Sequence, residues 1–247
     1  TSLSFLAYPH PMVISILSLF ILTLAGGLAS LFFSKPAGAS YKLALVFAGS
    51  YLFSITIIHI LPEIMQSSTD GKHIGMLVLA GFLMQHFLEF FTTGVEHGHS
   101  HDHSPENQSG LAPYSITVAL CVHAFLEGTV LAHPGVIHGE HEPWTLLVGI
   151  LLHKIPAAFA LMSVLGYFMG KSKKAILLLV LFAIASPLGL IVSNILKDQL
   201  ILSESGSVAL FAIVSGNFLH ISTTIFFESS PKHHHGWKKN LTIIIGG

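Results

Sequence analysis

Seven apolar runs, near residues 12–33, 42–61, 74–95, 113–132, 144–168, 174–196 and 207–227, follow one another along the chain with polar breaks between them. Each is about as long as the ~20 residues an α-helix needs to cross the hydrocarbon core of a bilayer. An eighth run begins near Trp237 and is incomplete at Gly247. Helical periodicity inside the runs is weak, because lipid-facing and protein-facing sides are both apolar, so length and hydropathy carry the assignment. The first run is too long and too evenly apolar for the core of a signal peptide and is expected to be a span. The predicted fold class is an all-α polytopic membrane protein with eight transmembrane helices, the eighth incomplete. Residues 1–247 are expected to form a single transmembrane domain with one His-rich loop at about 96–112.

Composition agrees. Only 9% of the 247 residues are charged and 52% are hydrophobic, against roughly 25% charged in soluble domains. A net charge of −1 leaves no basic footprint for nucleic acid. Lipid is therefore the expected partner. The one cysteine, Cys121, forms no internal disulfide and says nothing about redox compartment.

All basic side chains are lysines, and their placement orients the chain. With the N-terminus outside, the inner loops hold Lys35, Lys42, Lys171, Lys173, Lys174, Lys232, Lys238 and Lys239. The outer loops hold Lys72 and Lys197. That excess follows the positive-inside rule and makes the 96–112 loop cytoplasmic. The sequons at Asn107 and Asn240 then face inward and are expected to carry no glycan.

Histidine is abundant, at 17 residues. His97, His99, His101 and His103 alternate in HGHSHDH, in a stretch whose Pro, Gly and Ser content cannot bury a core. Such a tract binds metals loosely, or is a solvated linker. His233, His234 and His235 form a second inner group. The outer segment HPGVIHGEHE brings His133, His138, Glu140, His141 and Glu142 together, as a cation-collecting entrance or simply a polar loop.

The spans hold few ionisable side chains: His59, His86, Glu89, His123, Glu127, His153, Lys154 and His220. Each is a functional candidate because burying charge in a bilayer is costly. His123 and Glu127 are four apart, hence on one face of the fourth span. His153 lies on the fifth, antiparallel span. Each histidine is about ten residues into its helix, roughly 15 Å deep and near the midplane. Two imidazoles and a carboxylate at one depth suit Zn(II), and less specifically Fe(II) or Mn(II). The plainer alternative is a satisfied His–Glu hydrogen bond tying two helices together. Pro156 frees the Leu152 carbonyl, and Pro187 that of Ala183, so both helices are expected to bend or break, as transporter sites often do. Lys154 is too deep to reach water and should pair with Glu127 or Glu89 or lose its charge. Glu89 is expected as a further ligand or a proton carrier.

These residues together resemble the ZIP (Zrt/Irt-like) family of divalent metal transporters over essentially the whole chain. HAFLEG, His123 to Gly128, is similar to the family's His-x-x-x-Glu-Gly, and HKIPAAF begins at His153. HILPE, His59 to Glu63, resembles the pattern that ends the family's second helix. In GFLMQHFLE, Glu89 matches a family glutamate. In GNFLH, His220 stands where relatives often have Tyr. The chain departs from two-metal relatives at Ala124, Lys154 and Ala157, has no acid in 174–196, and has Ile225 where an acid would fall. It looks like the branch with HK on the fifth helix, which implies one metal, with the Lys154 ammonium near the place of a second.

The resemblance implies a ZIP-like 3+2+3 helix arrangement and uptake of zinc toward the cytoplasm by an elevator motion of helices one, four, five and six. Cd(II), Fe(II) and Mn(II) are alternative substrates. Metal is expected to enter near His59 and Glu63, with His86, His220 and Lys154 as further pathway candidates. It then binds His123, Glu127 and His153, with Glu89 or water as fourth ligand, and leaves toward His97–His103. The implied location is the plasma or bacterial inner membrane. Ala25, Gly26, Ala29, Ala48 and Gly49 permit close helix packing within the chain or in a homodimer. Two rival classes are an intramembrane metal hydrolase, for which there is no HExxH, and a metal sensor reading the His-rich loop.

Overall fold

A computed structural model describes residues 9–32, 39–67, 70–92, 112–132, 142–199, 201–228 and 237–246. They are helical, with no strand among them: α1 (Pro9–Ala29), α2 (Ala39–Ile55), a π turn (Thr56–Ile60), α3 (Leu61–Gln66), α4 (Gly71–Thr92), α5 (Ala112–Val130), α6 (Glu142–Met169), α7 (Lys173–Asp198), α8 (Glu204–Glu228) and α9 (Trp237–Gly246). The histidines at 97–103, 133, 138, 141 and 233–235 lie outside the described residues.

Six helical stretches are long and apolar enough to cross a membrane: Met12–Ala29, Lys42–Gln66, Gly71–Phe90, Trp144–Met169, Lys173–Asp198 and Glu204–Phe226. The chain is an all-α integral membrane protein. The expected count of eight spans is reached by position only. α5 has 19 residues, but His123, Glu127 and Pro113 dilute its apolar run, and most of it is covered by other helices. α9 starts at Trp237 as expected, is 10 residues long, and packs on α2.

The helices fall into two packed groups. One is α1, α5, α6 and α7; the other is α2, α4, α8 and α9. α2 on α6, and α4 and α8 on α5, join them. Glycines allow the closest approaches. A Cβ on Gly128 would lie 2.0 Å from the Ser186 carbonyl oxygen, and one on Gly189 would lie 2.0 Å from that of Phe125, which locks α5 to α7. Gly81 against Ile213 and Gly216 against Val78 do the same for α4 and α8, at 1.9 Å each. Gly26 abuts Ile155, and Gly49 abuts Ile225. The close packing at these two positions is thus within one chain.

Three sequence features shape the connections. Gly170 adopts φ 65°, ending α6 in the left-handed conformation that glycine tolerates best. Ser172 then caps α7, its hydroxyl accepting from the Ala175 amide at 3.2 Å. On the second span the helix continues past the expected end at residue 61, through the π turn, to Gln66. Pro62 lies just past the π turn, at the start of α3, and its ring would crowd the Ile58 carbonyl if the helix were regular there. At Pro156 and Pro187, where a bend or a break was expected, α6 and α7 continue without a break. Each proline still removes one backbone donor.

Candidate metal centre

The polar site lies between two apolar layers. One gathers Leu52, Ile60, Leu146, Ile150, Phe211 and Phe218. The other gathers Leu120, Ala158, Leu161, Leu179 and Phe182. Along α5 the second layer gives way to the first between Ala124 and Val130; along α6 the change falls between Ile150 and Ala157. His123, Glu127, His153 and Lys154 occupy that junction, and all are buried.

Glu127 is the centre. It is fully buried. The Nε2 atoms of both histidines converge on its Oε1, His123 at 2.8 Å and His153 closer still. The ligand atoms of the three residues lie within 4.8 Å of one another. Oε2 faces Lys154 Nζ at 3.3 Å. Of the two partners the sequence leaves open for Lys154, the structure selects Glu127. The ammonium also lies 4.5 Å from the Phe182 ring centroid, a second source of stabilisation for a cation that is 1% exposed.

The hydrogen bond behind His153 sets its tautomer. His153 Nδ1 lies 2.9 Å from the Gly149 carbonyl oxygen. A carbonyl can only accept, so Nδ1 carries the proton, and in the neutral ring Nε2 presents a lone pair toward Glu127. Lone pair and carboxylate repel unless a proton or a metal ion lies between them. This arrangement is what a histidine metal ligand needs.

His123 has a different support, one that charge-based reading passes over. Asn217 Nδ2 lies 3.1 Å from His123 Nδ1, while its Oδ1 is buried without a hydrogen-bond partner. The amide can serve in two orientations of equal shape. With Nδ2 toward the ring, the ring proton sits on Nε2 and is donated to Glu127. With Oδ1 toward the ring, Nδ1–H is donated to it and Nε2 is bare for a metal. Asn217 sits inside the GNFLH segment of α8, an amide in an otherwise apolar run.

Glu89 requires a correction. It does not join the His123 group but lies on α4 with His86 and His220, forming a second group of ligand atoms within 4.8 Å of one another. The reason is the tight pairing of α4 with α8, which carries Glu89 to His220, at 3.4 Å. His59 lies exposed on the π turn, and Glu63 follows on α3; neither joins a metal-sized group of three among the described residues.

Residues 93–247, more than half of the chain, match the family described as ZIP Zinc transporter. The chain belongs to the ZIP family. Among its relatives are protein zntD of Dictyostelium discoideum, 29% identical over 149 residues covering 57% of this chain and 21% of the relative, and zinc transporter ZIP9-B of Xenopus laevis, 28% identical over 177 residues covering 68% and 56%. The uncharacterized protein MJ1036 of Methanocaldococcus jannaschii is 24% identical over 226 residues, covering 90% of this chain and 89% of its own length. The chain thus spans about half the length of the ZIP9 relative and a fifth of zntD. ZIP membership sets aside the hydrolase alternative, since the family is one of transporters. The ZIP-like motifs His-x-x-x-Glu-Gly and His-Lys contribute His123, Glu127 and His153 to one cluster.

Proposed function

We propose that this chain carries a divalent transition-metal ion, zinc first, through the membrane by way of His123, Glu127 and His153. The observation that carries the proposal is the convergence of two imidazole nitrogens on one buried carboxylate oxygen, at the junction of two apolar layers. Two nitrogens and one oxygen, with a coordination position left for water, fit a cargo that must be released again. Glu89 stays with its own cluster. Cd(II), Fe(II) and Mn(II) share this ligand preference closely enough to compete.

Lys154 makes this a site for one metal, its ammonium taking the second side of the carboxylate. The direction is inward, supported by the lysine asymmetry of the loops, and the membrane is the plasma or bacterial inner membrane. The two helix groups support an elevator motion, in which α1, α5, α6 and α7 carry the site past α2, α4, α8 and α9. His59 and Glu63 serve the entrance and His97–His103 receive the ion. Zinc uptake into proteoliposomes tests this: His123→Ala and His153→Ala abolish the flux, whereas unchanged uptake in both variants overturns the assignment.

A further inference from the structure

His86, Glu89 and His220 form a second meeting of ligand-type side chains, separate from the site on α5 and α6. His86 Nδ1 lies 3.2 Å from His220 Nε2, and Glu89 Oε2 lies 3.4 Å from that same nitrogen. The tautomer of His220 follows from its neighbour one turn on. The Thr224 hydroxyl donates its single proton to the His220 carbonyl. The Thr224 oxygen lies 3.4 Å from His220 Nδ1, so the ring nitrogen is the donor in that contact. Nε2 of the neutral ring is then a lone pair, facing a carboxylate oxygen and a second imidazole. Two acceptors turned toward each other in this way are reconciled by a metal ion between them, as at His153 and Glu127, or by the N–H of His86 Nδ1.

The surroundings favour a ligand site over a stray polar group. His220 is buried. His86, by contrast, shares the exposed stripe of α4 with Leu79, Leu83 and Phe90. A histidine among apolar, lipid-facing neighbours is costly unless it has work to do. It lies six residues before Thr92, the end of α4, so about 9 Å along the helix axis from that end. That depth lets an ion load from the edge of the bundle without passing the His123 site. α4 and α8 are locked together by Gly81 and Gly216, which holds the three side chains in register.

We propose that His86, Glu89 and His220 bind a divalent transition-metal ion of the zinc class, at a site distinct from the one that carries the cargo. Two imidazoles and one carboxylate are the donor set. The inference needs binding only, so it stands or falls independently of transport.

The test is metal stoichiometry of the full chain in lipid nanodiscs, equilibrated with Zn2+ buffered low enough to leave loose loop sites empty. Glu89→Gln, His220→Gln and the exposed-edge variant His86→Gln each lose one ion relative to wild type. His123→Ala loses a different one, and His123→Ala combined with Glu89→Gln loses both. Retention of the His123 ion in the three single variants shows that they are folded. Zn2+ also slows carbethoxylation of His86 by diethyl pyrocarbonate about fivefold or more in wild type and His123→Ala, but not in Glu89→Gln. Wild-type stoichiometry in all three variants, with no protection of His86, overturns the proposal and leaves a hydrogen-bonded or proton-binding group. Loss of one and the same ion in His123→Ala and Glu89→Gln, with no further loss in the double variant, overturns it too.

Discussion

Lys154 Nζ lies 3.3 Å from Glu127 Oε2, on the opposite side of the carboxylate from the two histidines. In the proposed function, one carboxylate serves both this built-in cation and a mobile one. A metal ion arriving at Oε1 feels the repulsion of the ammonium, in surroundings where screening is weak.

That competition sets the first prediction. Lys154→Met removes the like charge and leaves Glu127 with one partner fewer in the empty site. Both effects favour metal. Zinc binding to the purified protein should tighten at least tenfold, about 1.4 kcal/mol. The same change should lower the thermal stability of the metal-free protein, since a buried charge loses a partner. Isothermal titration and thermal unfolding, with and without zinc, check both.

Asn217 holds His123 from behind. Asn217→Leu removes the ring's hydrogen-bond partner without removing a ligand, and should weaken zinc affinity about 10- to 100-fold, as outer-shell changes do. Asn217→Asp can still accept from Nδ1–H and should keep most of it. Zinc titration of the two variants separates a positioning role from mere packing, because Leu and Asp are both close in size to Asn.

The α5–α7 contact predicts a steric cost. Gly128→Ala drives a methyl group into the Ser186 carbonyl and should destabilise the protein by about 1–3 kcal/mol. Gly75→Ala on α4, where a Cβ meets nothing within 4 Å, should be neutral or stabilising by up to about 1 kcal/mol. Thermal unfolding in detergent compares them directly.

Protons compete with metal for the same lone pairs. Binding needs both imidazoles neutral and Glu127 ionised, so affinity falls as pH drops and protons take the ligand lone pairs. Zinc binding measured from pH 7.5 to 5.5 should weaken steadily, with proton release on binding. A flat profile would speak against histidine ligation.

Much of this was legible in the residues. Apolar run lengths placed the membrane helices, because span length is dictated by bilayer thickness. The trio was readable because i, i+4 spacing and matched depth are one-dimensional quantities. For Lys154 the sequence leaves open Glu127, Glu89 or loss of its charge. What escaped depends on how helices rotate and pair. Glu89 has the right chemistry for the His123 site, but α4 turns it toward α8, a rotation set by Gly81 and Gly216. Asn217 carries no charge, so the cost of burying ions does not point to it, although it shares the GNFLH segment with His220. The π turn at Thr56–Ile60 lies just before Pro62, yet a proline alone does not say whether a helix breaks, bends or widens.

The most direct test of the central claim is zinc flux through Glu127→Gln in proteoliposomes. The substitution keeps the size and shape of the side chain and removes the charge on which both histidines and Lys154 converge. The variant should fold and reconstitute like wild type, with zinc uptake reduced about 100-fold or more, the ~2.7 kcal/mol expected when an ionised ligand becomes a neutral one. Uptake at the wild-type rate would contradict that claim.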